Sequence, residues 1–271
     1  MGWAAWYLAA CARPAPAVAE RPAVCGDCHP DVLRTWSDGI HAQGRQDPLF
    51  AASFARAADP WCLGCHEPDG DHIGCGTCHE RQQTCASCHG FDLPASLGPD
   101  GPGPPSGVRG QDTDGEHARS DRAAEPCTAC HDPHGADGAH DVDRVRRTVR
   151  VTATRAGDGV DVRFVAQGAG HAVPTGDPFR RLRFEVCADL GCRRISAWLD
   201  LERRLAPDPV SGWRVAEDTR IPPSSGGRPG EVRRHLAADP AVAWQLVYHL
   251  ADPRDEAVPG SSYLVANGVL P

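Results

Sequence analysis

From about residue 142 onward, short runs of the chain alternate between apolar and polar positions. Val145–Thr154 and Val160–Ala166 alternate on either side of Arg155–Gly159, which predicts two strands joined by a hairpin turn. Arg181–Cys187 and Cys192–Leu199 form a second such pair, and Ala241–Leu250 and Ser262–Val265 add further strands. Several short strands separated by turn residues predict an antiparallel β-sandwich over residues 142–271. Before residue 142 the alternation is absent. Asp31–Ser37 and Leu49–Ala58 are the best short helices there, and Leu93–Gly115, rich in Pro, Gly and Asp, is expected to be a surface loop without regular structure. The expected fold class is α+β: a loop-rich, mostly short-helical domain over residues 21–141, then the β-sandwich, with a hinge near Asp141–Arg144.

Composition sharpens this picture. The chain has 271 residues, 29 Gly and 25 Pro, but only 6% aromatic residues. The first domain therefore has little apolar material for a core. The net charge is −8 with no basic run, which argues against a nucleic-acid partner. All 28 basic residues are Arg, and the single Met is Met1. Residues 1–20 are expected to be an export segment and tether. Leu8-Ala9-Ala10-Cys11 resembles a lipoprotein box, with lipidation at Cys11 weighed against a plain cleaved signal. Nothing later is long and apolar enough to span a bilayer. Either outcome implies a periplasmic or outer-surface location.

The chemistry lies in 13 Cys and 13 His. Five Cys-x-x-Cys-His motifs occur: Cys25, Cys28 and His29; Cys62, Cys65 and His66; Cys75, Cys78 and His79; Cys85, Cys88 and His89; Cys127, Cys130 and His131. This is the c-type haem attachment pattern. Two thiols bond the porphyrin, and the adjacent His is held beneath the iron. Zinc sites would use paired Cys units and would not need a His directly after each pair. Five covalently bound haem c groups are therefore expected, and the macrocycles would supply the missing core.

With no internal Met and no Lys, a six-coordinate iron here needs a second His. Eight His lie outside the motifs. His41, His117, His134 and His171 are the foremost distal ligands, and His72 and His140 compete for the fifth place. His235 and His249 fall in strand regions and are expected to be structural. The short spacings among the second, third and fourth motifs imply a compact cluster that the first and fifth extend. Arg34, Arg45, Arg56 and Arg81 are expected near haem propionates. Cys187 and Cys192 flank a four-residue loop and would face one another, as a disulfide or as two thiols.

Cys25-Gly26-Asp27-Cys28-His29-Pro30 with Trp36-Ser37 and His41-Ala42 resembles the multihaem cytochromes grouped around cytochrome c-554 of ammonia oxidisers. There, a Trp-x-x-Ser-x-His-Ala stretch supplies a distal ligand. This chain departs from it by placing Ser37 next to Trp36 and Gly39-Ile40 before the His. Cys127–His131 followed by Asp132-Pro133-His134-Gly135 resembles segments whose second His ligates another haem. Gly170-His171 with Pro174-Thr175-Gly176, and Asp218–Pro223, resemble elements of the β-domain that follows the haem domain in such proteins.

The resemblance implies electron transfer, with donor and acceptor cytochromes or a membrane quinol-linked complex as partners. The membrane itself would be met only through a lipid anchor at Cys11. Two alternatives stay open: a reductase or oxidase of a small nitrogen or sulfur compound at a five-coordinate haem, and a docking subunit that uses its β-domain. Intact mass and a pyridine haemochrome assay should both report five haems per chain; a matured protein carrying fewer would refute the motif reading.

Overall fold

The structure, a computed structural model, describes residues 21–57, 59–70, 72–96, 101–135 and 138–271. The expected export segment, with Cys11, lies outside the described residues. The N-terminal part is built from α1 (Arg21–Cys28), α2 (Pro30–Ser37), α3 (Ile40–Gln43), α4 (Pro48–Ala57), α5 (Leu63–His66), α6 (Cys75–His79) and α7 (Ala86–His89). A hairpin of β1 (Gly90–Pro94) and β2 (Pro105–Asp112) follows, and then α8 (Thr113–Ala118) and α9 (Val142–Thr148).

Local chemistry sets these boundaries. Pro30 opens α2, where its missing N–H leaves no bond unmade. The Asp47 carboxylate accepts from the N–H of Leu49 and Phe50 at 3.0 and 2.9 Å and so caps α4. Asp141 does the same for α9, accepting from the N–H of Arg144 at 2.9 Å. That cap explains why residues up to Thr148 coil rather than extend: the strand expected from Val145 begins only at Val149. The expected loop at Leu93–Gly115 is instead largely an antiparallel hairpin, with Gly90 opposite Asp112 and Pro94 opposite Pro105. Backbone pairing needs no apolar alternation, so a Gly- and Pro-rich segment could form it unannounced. A Cβ on Gly110 would meet the Phe91 ring at 2.5 Å, so glycine there permits the close packing.

The C-terminal part comprises β3 (Val149–Ala156), β4 (Gly159–Ala166), β5 (Arg181–Cys187), β6 (Ile195–Asp208), β7 (Gly212–Asp218), β8 (Gly230–Ala237), β9 (Ala243–His249) and β10 (Ser262–Val269). One sheet has the order β10-β9-β5-β6-β7, the other β3-β4-β8. Strands β7 and β8 go beyond the expected set; β7 is mostly exposed and polar, so it carries no apolar signal. The sheets enclose Val160, Val162, Phe164, Leu182, Phe184, Val186, Leu201 and Leu246, all nearly or fully buried. Phe184 packs edge-on to Phe164 at 5.5 Å and against Trp244 at 5.7 Å. Cys187 and Cys192 form a disulfide across the β5–β6 turn.

The two halves differ in what holds them together. Among the described residues, the buried hydrophobic side chains all lie at Val145 or beyond. The earlier segment buries Asp59, Asp69, Thr77, Gln111, Glu116 and Ser120 instead. A segment that buries polar groups but no apolar cluster lacks the usual driving force for folding.

Phe184→Ala should destabilise the sandwich by about 3–5 kcal/mol, because the cavity adds to the lost burial. Urea unfolding followed by far-UV circular dichroism would test this, and a change under about 1 kcal/mol would contradict the packing described.

Candidate haem ligation site

Each Cys-x-x-Cys-His motif sits on a single helical turn, mainly α-helical in the first four and 3-10 in the fifth. The His29, His89 and His131 N–H groups donate to the carbonyls of Cys25, Cys85 and Cys127 at 2.9, 2.8 and 3.0 Å. This closes a turn that carries both thiols and the imidazole as one unit. All ten motif cysteines are free of disulfides. Asp69, almost wholly buried, accepts from Gly74 N at 3.0 Å and from Thr77 Oγ1 and Arg81, so it fixes the entry to α6.

The Cys130 sulfur also has a protein partner. It lies just past the 3-10 turn Cys127–Ala129, and its Sγ accepts a hydrogen bond from the Arg122 guanidinium at 2.8 Å. The Cys130 carbonyl is also taken, by Arg144 at 2.6 Å. The physical reason is the loop before the motif: Arg122 N is anchored by Ser120 Oγ at 3.0 Å, which brings the arginine side chain over the turn. Attachment at Cys130 would require the Arg122 guanidinium to move off the sulfur, and Glu125, 3.3 Å away, is its second partner. The spacing of the motif gave no sign of this contact, because Arg122 lies outside it.

Three motif imidazoles are faced by an imidazole from elsewhere in the chain. His41 faces His89 at 6.4 Å between ring centroids, His79 faces His134 at 6.3 Å, and His131 faces His171 at 6.1 Å. An iron bound to two imidazole nitrogens at about 2 Å each would hold the ring centroids about 6.3 Å apart. The gaps therefore fit a metal between the rings and are too wide for direct stacking.

The free ring nitrogens support this geometry. His41 Nδ1 donates to Pro133 O at 3.0 Å and His171 Nδ1 to Ala172 O at 3.0 Å, which leaves each Nε2 unprotonated and able to bind a metal. The Gln111 amide nitrogen lies 2.9 Å from His89 Nδ1 and fixes the plane of that ring. Burial, then the nearby His41, lowers the His89 pKa to about 4, and burial also lowers that of His171. Both rings are thereby kept neutral, the form that binds metal. Among the described residues no cluster of three or more His, Cys, Asp or Glu converges as an all-protein metal site.

The remaining histidines are placed differently. His29 is exposed at the end of α1. Phe50 stacks on His66 at 3.8 Å, and His140 shares the charged neighbours Asp47 and Arg180 with His66. His72 lies edge-on to Trp36 at 5.4 Å. His117 points its nitrogens at two carbonyls, Gly170 O at 3.2 Å and Glu125 O at 2.9 Å, and is not brought opposite a motif imidazole. A Cβ on Gly170 would lie 2.8 Å from His117 Nδ1, so the glycine before His171 serves an approach between two loops. His235 pairs with Asp161 and Asp158 on an exposed strand, and His249 lies beside Glu256.

The motifs also neighbour one another. The Cys75 thiol is hydrogen-bonded to Cys25, Cys65 to Cys88, and Cys127 to Cys85. The first motif thus lies against the third, the second against the fourth, and the fourth against the fifth. Each arginine expected near propionates already pairs with a carboxylate: Arg34 with Asp31, Arg45 with Glu67, Arg56 with Asp255 and Arg81 with Asp69.

The loop carrying His171 is held from the N-terminal half by a residue that sequence reasoning did not single out. Glu116 on α8 is 3% exposed. Its carboxylate accepts from Ala172 N at 3.2 Å and Thr175 Oγ1 at 2.7 Å, and pairs with Arg220 at 2.6 Å. No local pattern announces these contacts, since Glu116 and Arg220 are far apart in the chain.

No protein-family model and no curated protein matches the chain. A solved structure is similar in fold: a penta-haem cytochrome c552 from Thermochromatium tepidum, with a TM-score of 0.63 and 18% identity. The alignment covers 92% of this chain and 98% of that one.

Glu116→Ala should cost about 3–5 kcal/mol of stability, because it leaves the Arg220 charge buried with less compensation. Glu116→Gln should cost less, since it keeps the acceptor for Ala172 and Thr175. Chemical denaturation of both variants would test this, and equal losses would remove the charge from the account.

Proposed function

We propose that this chain is a penta-haem c-type cytochrome that transfers electrons outside the cytoplasm, mainly through bis-His haems. The observation that carries the reading is the set of three facing imidazole pairs at 6.1–6.4 Å, each containing a motif histidine. Five attachment motifs and an N-terminal half without an apolar core support it. So does the fold shared with a penta-haem cytochrome.

Haem iron, when bound, supplies a one-electron couple. The chain's part is to attach, orient and space the sites. The cysteine pairs Cys25 and Cys28, Cys62 and Cys65, Cys75 and Cys78, Cys85 and Cys88, and Cys127 and Cys130 attach the groups, with Cys130 first released from Arg122. His29, His66, His79, His89 and His131 are the proximal ligands. His41, His134 and His171 complete the sites of His89, His79 and His131. His72 or His140 would complete another, and His117 would have to leave its carbonyl partners to do so. Two imidazoles favour ferric iron more than a thioether does, which sets low potentials. Contacts between motifs suggest that charge passes from the first site to the third and from the second to the fourth, with the fifth joined to the fourth.

The redox partners would be donor and acceptor cytochromes or a quinol-linked membrane complex. The periplasm or outer surface, with or without a lipid anchor at Cys11, is the matching location. No helix among the described residues is long and apolar enough to cross a membrane. One observation favours a second reading: His66 is stacked by Phe50 rather than faced by an imidazole. An open iron there would suit reduction or oxidation of a small nitrogen or sulfur compound.

Carbon monoxide binds only an open ferrous iron. The carrier reading expects no Soret shift when it is added to the reduced protein; one equivalent bound per chain would favour the enzyme. His171→Ala should convert one haem to high spin and raise its potential while leaving the other four unchanged. An unaltered electron paramagnetic resonance spectrum would exclude His171 as a ligand.

A further inference from the structure

A small cleft opens where the loop after His171 meets the N-terminal half, and three guanidinium groups line it: Arg180, Arg203 and Arg220. Arg220 is neutralised by Asp218 at 2.7 Å and Glu116 at 2.6 Å. The other two are not. Arg203 reaches Gly110 O at 3.5 Å, and Arg180 hydrogen-bonds Tyr248 while its Nε is buried without a hydrogen-bond partner. Neither forms an ion pair among the described residues. Asp177 shares the wall; its carboxylate accepts from Phe179 N at 2.8 Å and feels the Arg180 charge without a hydrogen-bonded ion pair to it.

Such placement is costly without an anion. A half-buried guanidinium loses hydration, and two more cations beside it repel. Burial and then Arg220 accordingly lower the Arg203 pKa. The chain as a whole carries −8, so three guanidinium groups lining one cleft are a local departure, which Asp218, Asp112 and Glu116 offset in part at Arg203. The loop is shaped for the purpose: Gly176, at a φ of 98°, turns the backbone past Arg180, and the Thr175 hydroxyl lies on the same wall. Arg180 is also the charged neighbour shared by His66, His89 and His140, which places the cleft at the edge of the second and fourth attachment sites.

We infer that Arg180 and Arg203 form an anion site that takes a carboxylate or another small oxyanion at the junction of the two domains. The planar forks suit a group with two or three coplanar oxygens. Two sources share this chemistry: a haem propionate, which rests on the cytochrome reading above, and a free oxyanion from solution. In the first case the β-domain clamps a haem electrostatically as well as through His171. In the second it holds a small anion beside the haem of His66.

The test uses the purified, matured chain and its Arg180→Gln/Arg203→Gln variant, both first weighed for haem content. If a propionate fills the cleft, the variant lowers the potential of one of its haems, because uncompensated negative charge favours ferric iron, and the wild type takes up neither nitrite nor sulfate by calorimetry. If the anion is free, wild type binds one probe saturably and the variant loses affinity by about tenfold or more, with potentials unmoved. Potentials all unchanged in the variant, together with no probe binding to wild type, would overturn the site. Arg203→Gln alone, which gives up only one long hydrogen bond, serves if the double variant does not accumulate, and is judged by the same outcomes. Fewer than five haems by mass would count against the cytochrome reading, while probe binding would still decide the cleft.

Discussion

A metal held between two imidazoles demands a fixed gap of about 6 Å, neutral rings and the right tautomer on each. Three ring pairs in this chain meet the demand for distance. In each pair the motif histidine is placed by local construction, on a short helical turn. The facing histidine comes from a distant segment: α3 for His41, the loop after the fifth motif for His134, the β-domain for His171. The remaining structure brings those segments to that distance.

The β-sandwich takes a large share of this work. It contains nearly all the buried apolar side chains among the described residues, and so it has a packed core of its own. The N-terminal half leans on it through specific polar contacts. Asp121 accepts from Gly226 N and Gly227 N at 2.8 and 2.9 Å, and Trp213 donates to Pro94 O at 3.1 Å. Tyr263 donates to Ala139 O at 2.7 Å, and Arg56 pairs with Asp255. These bonds are directional. They set position more sharply than apolar contact would.

Charge follows the same division. Carboxylates in the N-terminal half are spent on caps and local pairs, as Asp47, Asp69 and Asp141 show. Arg34, Arg45 and Arg81, close to the motifs in sequence, are taken by such carboxylates, and Arg122 is divided between Glu125 and the Cys130 sulfur. Arg180 and Arg203, which arrive from the β-domain, line a cleft with Arg220 and form no hydrogen-bonded ion pair among the described residues.

The sequence by itself determined what depends on neighbours within a few residues. Cys-x-x-Cys-His requires one helical turn, and the structure forms those turns. Alternation over Val160–Ala166 and Arg181–Cys187 meant strands, and the five-residue step from Cys187 to Cys192 allowed the disulfide that forms. Tertiary structure decided the rest, because it turns on the path of the chain. The facing histidines are separated by 40 to 55 residues, and no local rule reaches that far. His117 was as good a candidate from its sequence setting as His41, yet its ring goes to two carbonyls. The Arg122 contact to the Cys130 sulfur comes from a residue that the motif does not contain. The β1–β2 hairpin rests on backbone bonds that leave no side-chain pattern, and the Glu116–Arg220 pair joins residues that only the folded domains bring together.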